Sequence, residues 1–346
     1  MLIRRVASPL VGSVTGNFHS ESPLSPAVLS AINTAFQSGW SDPNKSTHLA
    51  AKARALRDGA IESISNELGV KNLIPYSDSS IAIQFSILGY LKPGMKFAHS
   101  VRDRREVMAI GKSFPNSIAL NINSEGQITE KPECDLFAYQ VANPESGIIQ
   151  NSNIVNGILA CDATASGARV PLPANWASAA FEAKSWGGPI GISFLALNNE
   201  KEWVYPLPHV GAEKSPGNYS LPLLIGAAVA LEEFKHDRAI KDGEILRLNQ
   251  IIRRELAGFA IASPIGMPHL LTIGFEDVNG ELLVSQLNEV GIYAETGSAC
   301  SADDLRPSRT LAAMGLPNKG NLRITLHDET TEKEVVELVK RIAACA

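Results

Sequence analysis

Apolar positions along the chain switch between helix and strand rhythms, and the switches mark out the elements. Over residues 46–68, Ala50, Ala53, Leu56, Ala60, Ile61, Ile64 and Leu68 form one stripe, which predicts a long amphipathic helix, with Gly69 placed to end it. Asn72–Pro75 then reads as a short strand and Ser79–Tyr90 as a helix. The compact apolar runs Asp135–Ala142, Gly157–Cys161 and Gly191–Leu197 have strand length. Strands interleaved with helices predict an α/β fold, a mostly parallel sheet with helices on both faces.

The last third has a different order. A long helical pattern covers residues 221–257. It is followed by a strand near His269–Ile273, a helix over Glu281–Val290 and a strand near Ile292–Ala294. A helix over Arg306–Met314, a strand at Leu322–Leu326 and a terminal helix from Thr331 complete the chain. This order suits a smaller α+β domain packed on the first. Residues 15–240 are assigned to the large domain, and 1–14 with 241–346 to the small one. The boundary falls inside or after the long helix.

The 346 residues, 45% of them hydrophobic, are ample for a large core. A formal net charge of -5 argues against nucleic acid as the main partner, because phosphate backbones need a basic face. Arg102, Arg104 and Arg105 are interrupted by acids and read as a solvated helix face. No run of eighteen apolar residues predicts a membrane span, and the first fourteen residues lack the apolar core of a signal peptide. The four cysteines, 134, 161, 300 and 345, have no metal-ligand spacing. Few and scattered, they suit a reducing, cytoplasmic setting better than a disulfide framework.

Three local features carry candidate chemistry. Asp162 follows the apolar run Gly157–Cys161, and an acid at the carboxyl end of a parallel strand faces the ligand crevice of an open sheet. Taken alone, it reads equally as a turn or helix-cap residue. Lys184 lies twenty-two residues on, one strand-to-strand step, before a glycine-rich turn. Alone it would be a surface lysine. Ser79 and Ser80 open a helix, where hydroxyls and backbone N–H groups form either an anion site or a simple cap. Together these are the parts that pyridoxal 5'-phosphate (PLP) requires. They are an amine for its aldehyde, a carboxylate for its ring nitrogen and an anion seat for its phosphate.

At this point the chain resembles the class V aminotransferase family and, within it, the NifS/IscS-like cysteine desulfurases. Asn143–Gln150 (NPESGIIQ) resembles the family's Asn-Asn-Glu-x-Gly-x-x-Gln stretch, Asp162-Ala-Thr its cofactor-binding triplet, and Lys184 its cofactor lysine. The most specific likeness is Thr296–Ser301 (TGSACS), continued by Leu305–Ser308 and Leu311–Gly315. It is similar to the loop that carries the family's persulfide-forming cysteine. Asn321–Thr325 resembles the strand whose arginine, here Arg323, grips the substrate carboxylate with its planar fork.

The resemblance implies the PLP-dependent transferase fold (fold type I), with a seven-stranded, mostly parallel sheet and a smaller C-terminal α+β domain. It implies a homodimer that converts L-cysteine to L-alanine and passes sulfur through Cys300 to a sulfur-acceptor protein. It makes Asn143 a contact of cofactor and substrate, and it matches Ser220 loosely to a threonine that a neighbouring subunit supplies to the phosphate.

Several positions depart from the family pattern. Phe181 and Ala183 stand where a serine and a histidine help hold the cofactor, and Ala165 where a glutamine approaches its hydroxyl. Arg104 stands where a histidine stacks on the ring, unless the alignment shifts to His99. An arginine can stack but is a poor base. Three rivals follow: another class V PLP reaction on a small amino acid (transamination or β-elimination), a non-catalytic binding or scaffold subunit, and an α/β protein without cofactor.

Overall fold

The computed structural model describes residues 16–151, 157–211, 214–215, 219–258, 261–276, 278–296, 308–317 and 320–345. Helices α1 (Pro26–Ser38) and α2 (His48–Leu68) open the large unit. Thr47 caps α2, its hydroxyl accepting from the N–H of Ala50 at 3.1 Å. Loss of such a cap costs about 1 kcal/mol. Gly69 closes the helix with φ of 66°, a left-handed turn that a side chain resists.

There follow β1 (Leu73–Tyr76), α3 (Ser79–Leu88), β2 (Phe97–Ser100), α4 (Arg105–Ser113), β3 (Ser117–Leu120), β4 (Leu136–Gln140) and β5 (Ile158–Asp162). Then come β6 (Trp176–Glu182), a 3-10 turn (Ala183–Trp186) and β7 (Ser193–Leu197). The seven strands form one sheet in the order β1-β7-β6-β5-β4-β2-β3. Strand β7 runs antiparallel to both its neighbours, and the remaining pairs are parallel. This is the seven-stranded, mostly parallel sheet that the resemblance implies. All of β4 is buried, as a strand covered by helices on both faces must be.

The apolar runs at β1, β4, β5 and β7 are found within a residue or two of their predicted positions. Strand β6 is the strand implied by the step from Asp162 to Lys184, and Ala177, Ser178, Ala179 and Ala180 fill its centre. Those small residues have a use. They let α3 lie close, with the Ser178 hydroxyl donating to the Ser86 carbonyl at 2.7 Å. Strands β2 and β3 are too short and mixed to be read from pattern alone.

The pattern over 221–257 proves to be two helices, α5 (Leu221–Lys235) and α6 (Arg238–Leu256). Asp237, with φ of 54°, breaks them apart. Beyond them lie β8 (Ile261–Ala262), β9 (Leu270–Phe275), α7 (Gly280–Glu289), α8 (Arg309–Ala313), β10 (Gly320–Thr325) and α9 (Glu332–Cys345). Strands β10, β9 and β8 make a small antiparallel sheet.

Phe18, Leu248, Ile252, Leu271, Ile273, Leu322, Leu338 and Ile342 form a second core around that sheet, each burial worth about 1.5–3 kcal/mol. Phe18 comes from the N-terminal segment, which is laced in by Phe18 N–H to Tyr293 O (2.7 Å) and Thr325 N–H to Phe18 O (2.9 Å). The strand expected at Ile292–Ala294 is reduced to two isolated bridges, Asn17 with Tyr293 and Glu295 with Arg323. Among the described residues no helix is long and apolar enough to cross a membrane.

Candidate active site

One cavity of about 970 Å³ opens where the carboxyl ends of β4 and β6 face β10 of the small sheet. Ligands of open α/β sheets bind at this edge. Lys184, Arg104, Asn143 and Arg323 line it together. Four sequence-derived candidates, far apart in the chain, thus share one cavity.

Lys184 is carried by the 3-10 turn at the end of β6. Gly187, with φ of 76°, closes that turn. The buried Trp186 pins it, its indole N–H donating to the Ala227 carbonyl on α5 at 3.1 Å. Asp162 ends the adjacent strand β5, paired in register with Ala180 of β6. Both residues therefore leave neighbouring parallel strands at the same edge of the sheet. Asp162 is buried, and its Oδ1 accepts from the backbone N–H (3.0 Å) and hydroxyl (2.6 Å) of Thr164. The Thr164 hydroxyl in turn accepts from Arg104 Nη1 at 2.9 Å.

Of the basic cluster at 102–105, Arg105 is exposed at the start of α4 as a solvated helix face predicts, but Arg102 is not. Arg102 is 3% exposed and spends its fork on Gln140 Oε1 (3.0 Å), Gln150 Oε1 (3.2 Å) and the carbonyls of Gly126 (2.6 Å) and Ile148 (3.1 Å). A buried guanidinium is tolerable only when its donors are met in this way. Asp103 beside it is also buried, and burial pushes its carboxyl up to about 7. Asn143 belongs to the same knot. Its amide donates to Gln140 Oε1 (3.0 Å) and to the Arg102 carbonyl (3.3 Å), while its oxygen caps the turn at Glu145 and Ser146. Gln140 Nε2, on the cavity wall, is buried without a hydrogen-bond partner among the described residues. Neither Arg102 nor Gln140 carried a sequence signal.

Ser79 and Ser80 do not line the cavity. The N-terminus of α3 is already served by a carboxylate, with Asp78 Oδ1 accepting from the Ser80 N–H at 2.7 Å. The Ser80 hydroxyl donates to Glu106 Oε1 at 2.8 Å. Ser220 caps α5, its hydroxyl accepting from Leu223 N–H at 3.5 Å. His99 lies buried beside Phe97 and against Gly111 of α4 and does not line the cavity, whereas Arg104 does.

On the opposite wall Arg323 donates to Glu295 Oε2 through Nε (3.2 Å), with Nη2 at 2.7 Å from the same oxygen. Glu145 is half-buried nearby, and desolvation pushes its carboxyl up although it accepts from the Ser308 hydroxyl. His269 is buried, and desolvation beside Arg169 and Arg238 holds it well below the usual imidazole range. Cys161 is buried in β5, its thiol pushed up by burial. Cys300 and the rest of the stretch 297–307 lie outside the described residues.

The chain is 34% identical over 137 residues to a cysteine desulfurase of Nostoc sp., covering 38% of this chain and 33% of that one. The match thus spans about a third of the length of that relative. The cysteine desulfurase IscS of Anaeromyxobacter sp. is 22% identical over 367 residues, covering 94% of this chain and 90% of the relative. A solved NifS-like protein superposes with a TM-score of 0.82 at 21% identity, covering 94% and 98% of the two chains. Curated relatives and solved neighbours consistently bear NifS/IscS-like cysteine desulfurase names. No family model matches the chain.

Proposed function

We propose that this chain, whose relatives and fold are those of the NifS/IscS-like cysteine desulfurases, is a PLP-dependent enzyme that converts L-cysteine to L-alanine and takes the sulfur onto Cys300. The carrying observation is that Lys184 and Asp162 end adjacent parallel strands at the edge where the cavity opens. The residues present fit the cofactor's aldehyde and ring. Lys184 would hold the aldehyde, Arg104 a ring face and Gln140 Nε2 an acceptor on the ligand, and Asp162, which is buried at the end of β5 and does not itself line the cavity, would meet the ring nitrogen. At the phosphate end Ser80 is held by the carboxylates of Asp78 and Glu106, so any anion there would lean on Arg104 and Arg105.

When bound, PLP supplies an electron sink for the carbanion at the substrate α-carbon. Asp162 would be the partner for a cationic ring nitrogen, and Thr164 and Arg104 fix the orientation of that carboxylate. Lys184 would move protons at the substrate α-carbon. Arg323 binds the α-carboxylate. The Cys300 thiolate attacks the substrate sulfur, so that the C–S bond breaks, an S–S bond forms and alanine leaves. The enzyme is proposed to act as a homodimer and to pass its persulfide to an acceptor protein. Incubation with PLP and L-cysteine, with alanine and enzyme-bound persulfide counted, tests this reading. Equal amounts of both are expected, and alanine without persulfide, or neither, contradicts it.

A further inference from the structure

The arginine that would receive a substrate carboxylate already holds one. Glu295 pairs with Arg323 as a cross-strand bridge, with Arg323 N–H to Glu295 O at 2.6 Å and Glu295 N–H to Arg323 O at 3.2 Å. The two side chains meet, with Arg323 Nη2 at 2.7 Å and Nε at 3.2 Å from Glu295 Oε2. The rest of the carboxylate is fully supplied. Oε2 also accepts the Ser20 N–H at 2.9 Å, Oε1 accepts the Ser20 hydroxyl at 3.0 Å, and His19 Nε2 lies 3.3 Å from Oε1. An arginine fork, a backbone N–H and a hydroxyl are the donors a protein assembles for a bound carboxylate. Ser20, Glu295 and Arg323 all line the cavity that Lys184 lines.

We propose that Glu295 occupies the seat a substrate α-carboxylate takes on Arg323, so that an amino-acid ligand binds only by displacing it. The choice of an α-amino acid as ligand rests on the desulfurase reading, whereas the competition for Arg323 does not. A carboxylate tethered beside its partner acts at high effective concentration, so an incoming ligand at millimolar levels competes poorly. The displaced Glu295 keeps Ser20 and His19 as partners, which makes exchange feasible without stranding a charge. Glu295 is thus a specificity-determining residue. It sets the affinity threshold for every carboxylate ligand of the cavity.

The test is calorimetric titration of the PLP-incubated protein with propionate and with L-alanine, for wild type, Glu295→Gln, Glu295→Ser and Glu295→Gln combined with Arg323→Ala. The glutamine variant keeps an oxygen for the Ser20 N–H, and the serine variant guards against a misfolded first variant. Both single variants are expected to bind propionate and L-alanine at least about tenfold more tightly than wild type, the scale of one lost charged competitor. The gain should vanish with Arg323→Ala. Unchanged or weaker propionate binding in both single variants overturns the proposal, since a merely structural ion pair predicts that result. A gain for propionate without one for L-alanine upholds the competition and overturns the amino-acid reading instead.

Discussion

Arg104 is coupled to Asp162 through a single hydroxyl, that of Thr164, which accepts from Arg104 at 2.9 Å and donates to Asp162 at 2.6 Å. The relay holds the carboxylate that the cofactor's ring nitrogen would meet. It also ties Arg104, a residue of the cavity wall, to the end of β5.

Removing Arg104 should therefore loosen the cofactor site without unfolding the protein. A hydrogen bond to a charged group is worth about 1.5–3 kcal/mol, which corresponds to roughly a ten- to hundredfold change in affinity. Arg104→Ala is expected to weaken PLP binding by that factor in an absorbance titration. Arg104→Lys should recover part of it. Wild-type affinity in Arg104→Ala would remove Arg104 from the site.

Arg102 predicts a stability effect of another kind. Its replacement by methionine leaves Gln140, Gln150 and the carbonyls of Gly126 and Ile148 without their shared donor in a buried setting. The expected loss is about 3–5 kcal/mol, read from urea unfolding. A loss under about 1 kcal/mol would mean that water or neighbours re-satisfy these groups easily.

Buried histidines predict the acid limb of stability. Burial lowers His99, His269 and His327 from 6.5 in the folded state, His269 furthest. Below pH 6.5 the unfolded chain takes up protons that the folded chain refuses. Their stabilising contribution is thus present above about pH 6.5 and lost as pH falls. Unfolding midpoints should drop between pH 7.5 and pH 5.5, and less steeply in His269→Asn. An identical slope in the variant would assign the acid limb to other groups.

Cys300→Ala addresses the sulfur step alone. Alanine formation from L-cysteine should be abolished, while the visible spectrum with PLP stays that of wild type. Alanine formation at the wild-type rate would point to β-elimination or transamination chemistry with Cys300 idle.

Part of this site was legible in the sequence. Asp162 and Lys184 stood out because strand ends in an α/β protein converge on one edge, so spacing alone suggests proximity. The small sheet was legible in β9 and β10, whose apolar residues fill the second core. Strand β6 was legible only as the step from Asp162 to Lys184, because its central alanines and serine carry no apolar period. Arg102 was misread because charge in sequence suggests solvent, whereas its partners come from four segments brought together by the fold. Glu295 was invisible for the same reason. Nothing local marks it, and its meaning comes from the strand opposite, which carries Arg323.

The central claim is that the amine of residue 184 carries PLP. The direct measurement is borohydride reduction of the PLP-incubated protein, followed by peptide mass mapping. The account predicts the reduced cofactor on the peptide containing Lys184 and none in Lys184→Ala. A modified lysine elsewhere, or wild type left unmodified with no visible band before reduction, would contradict it.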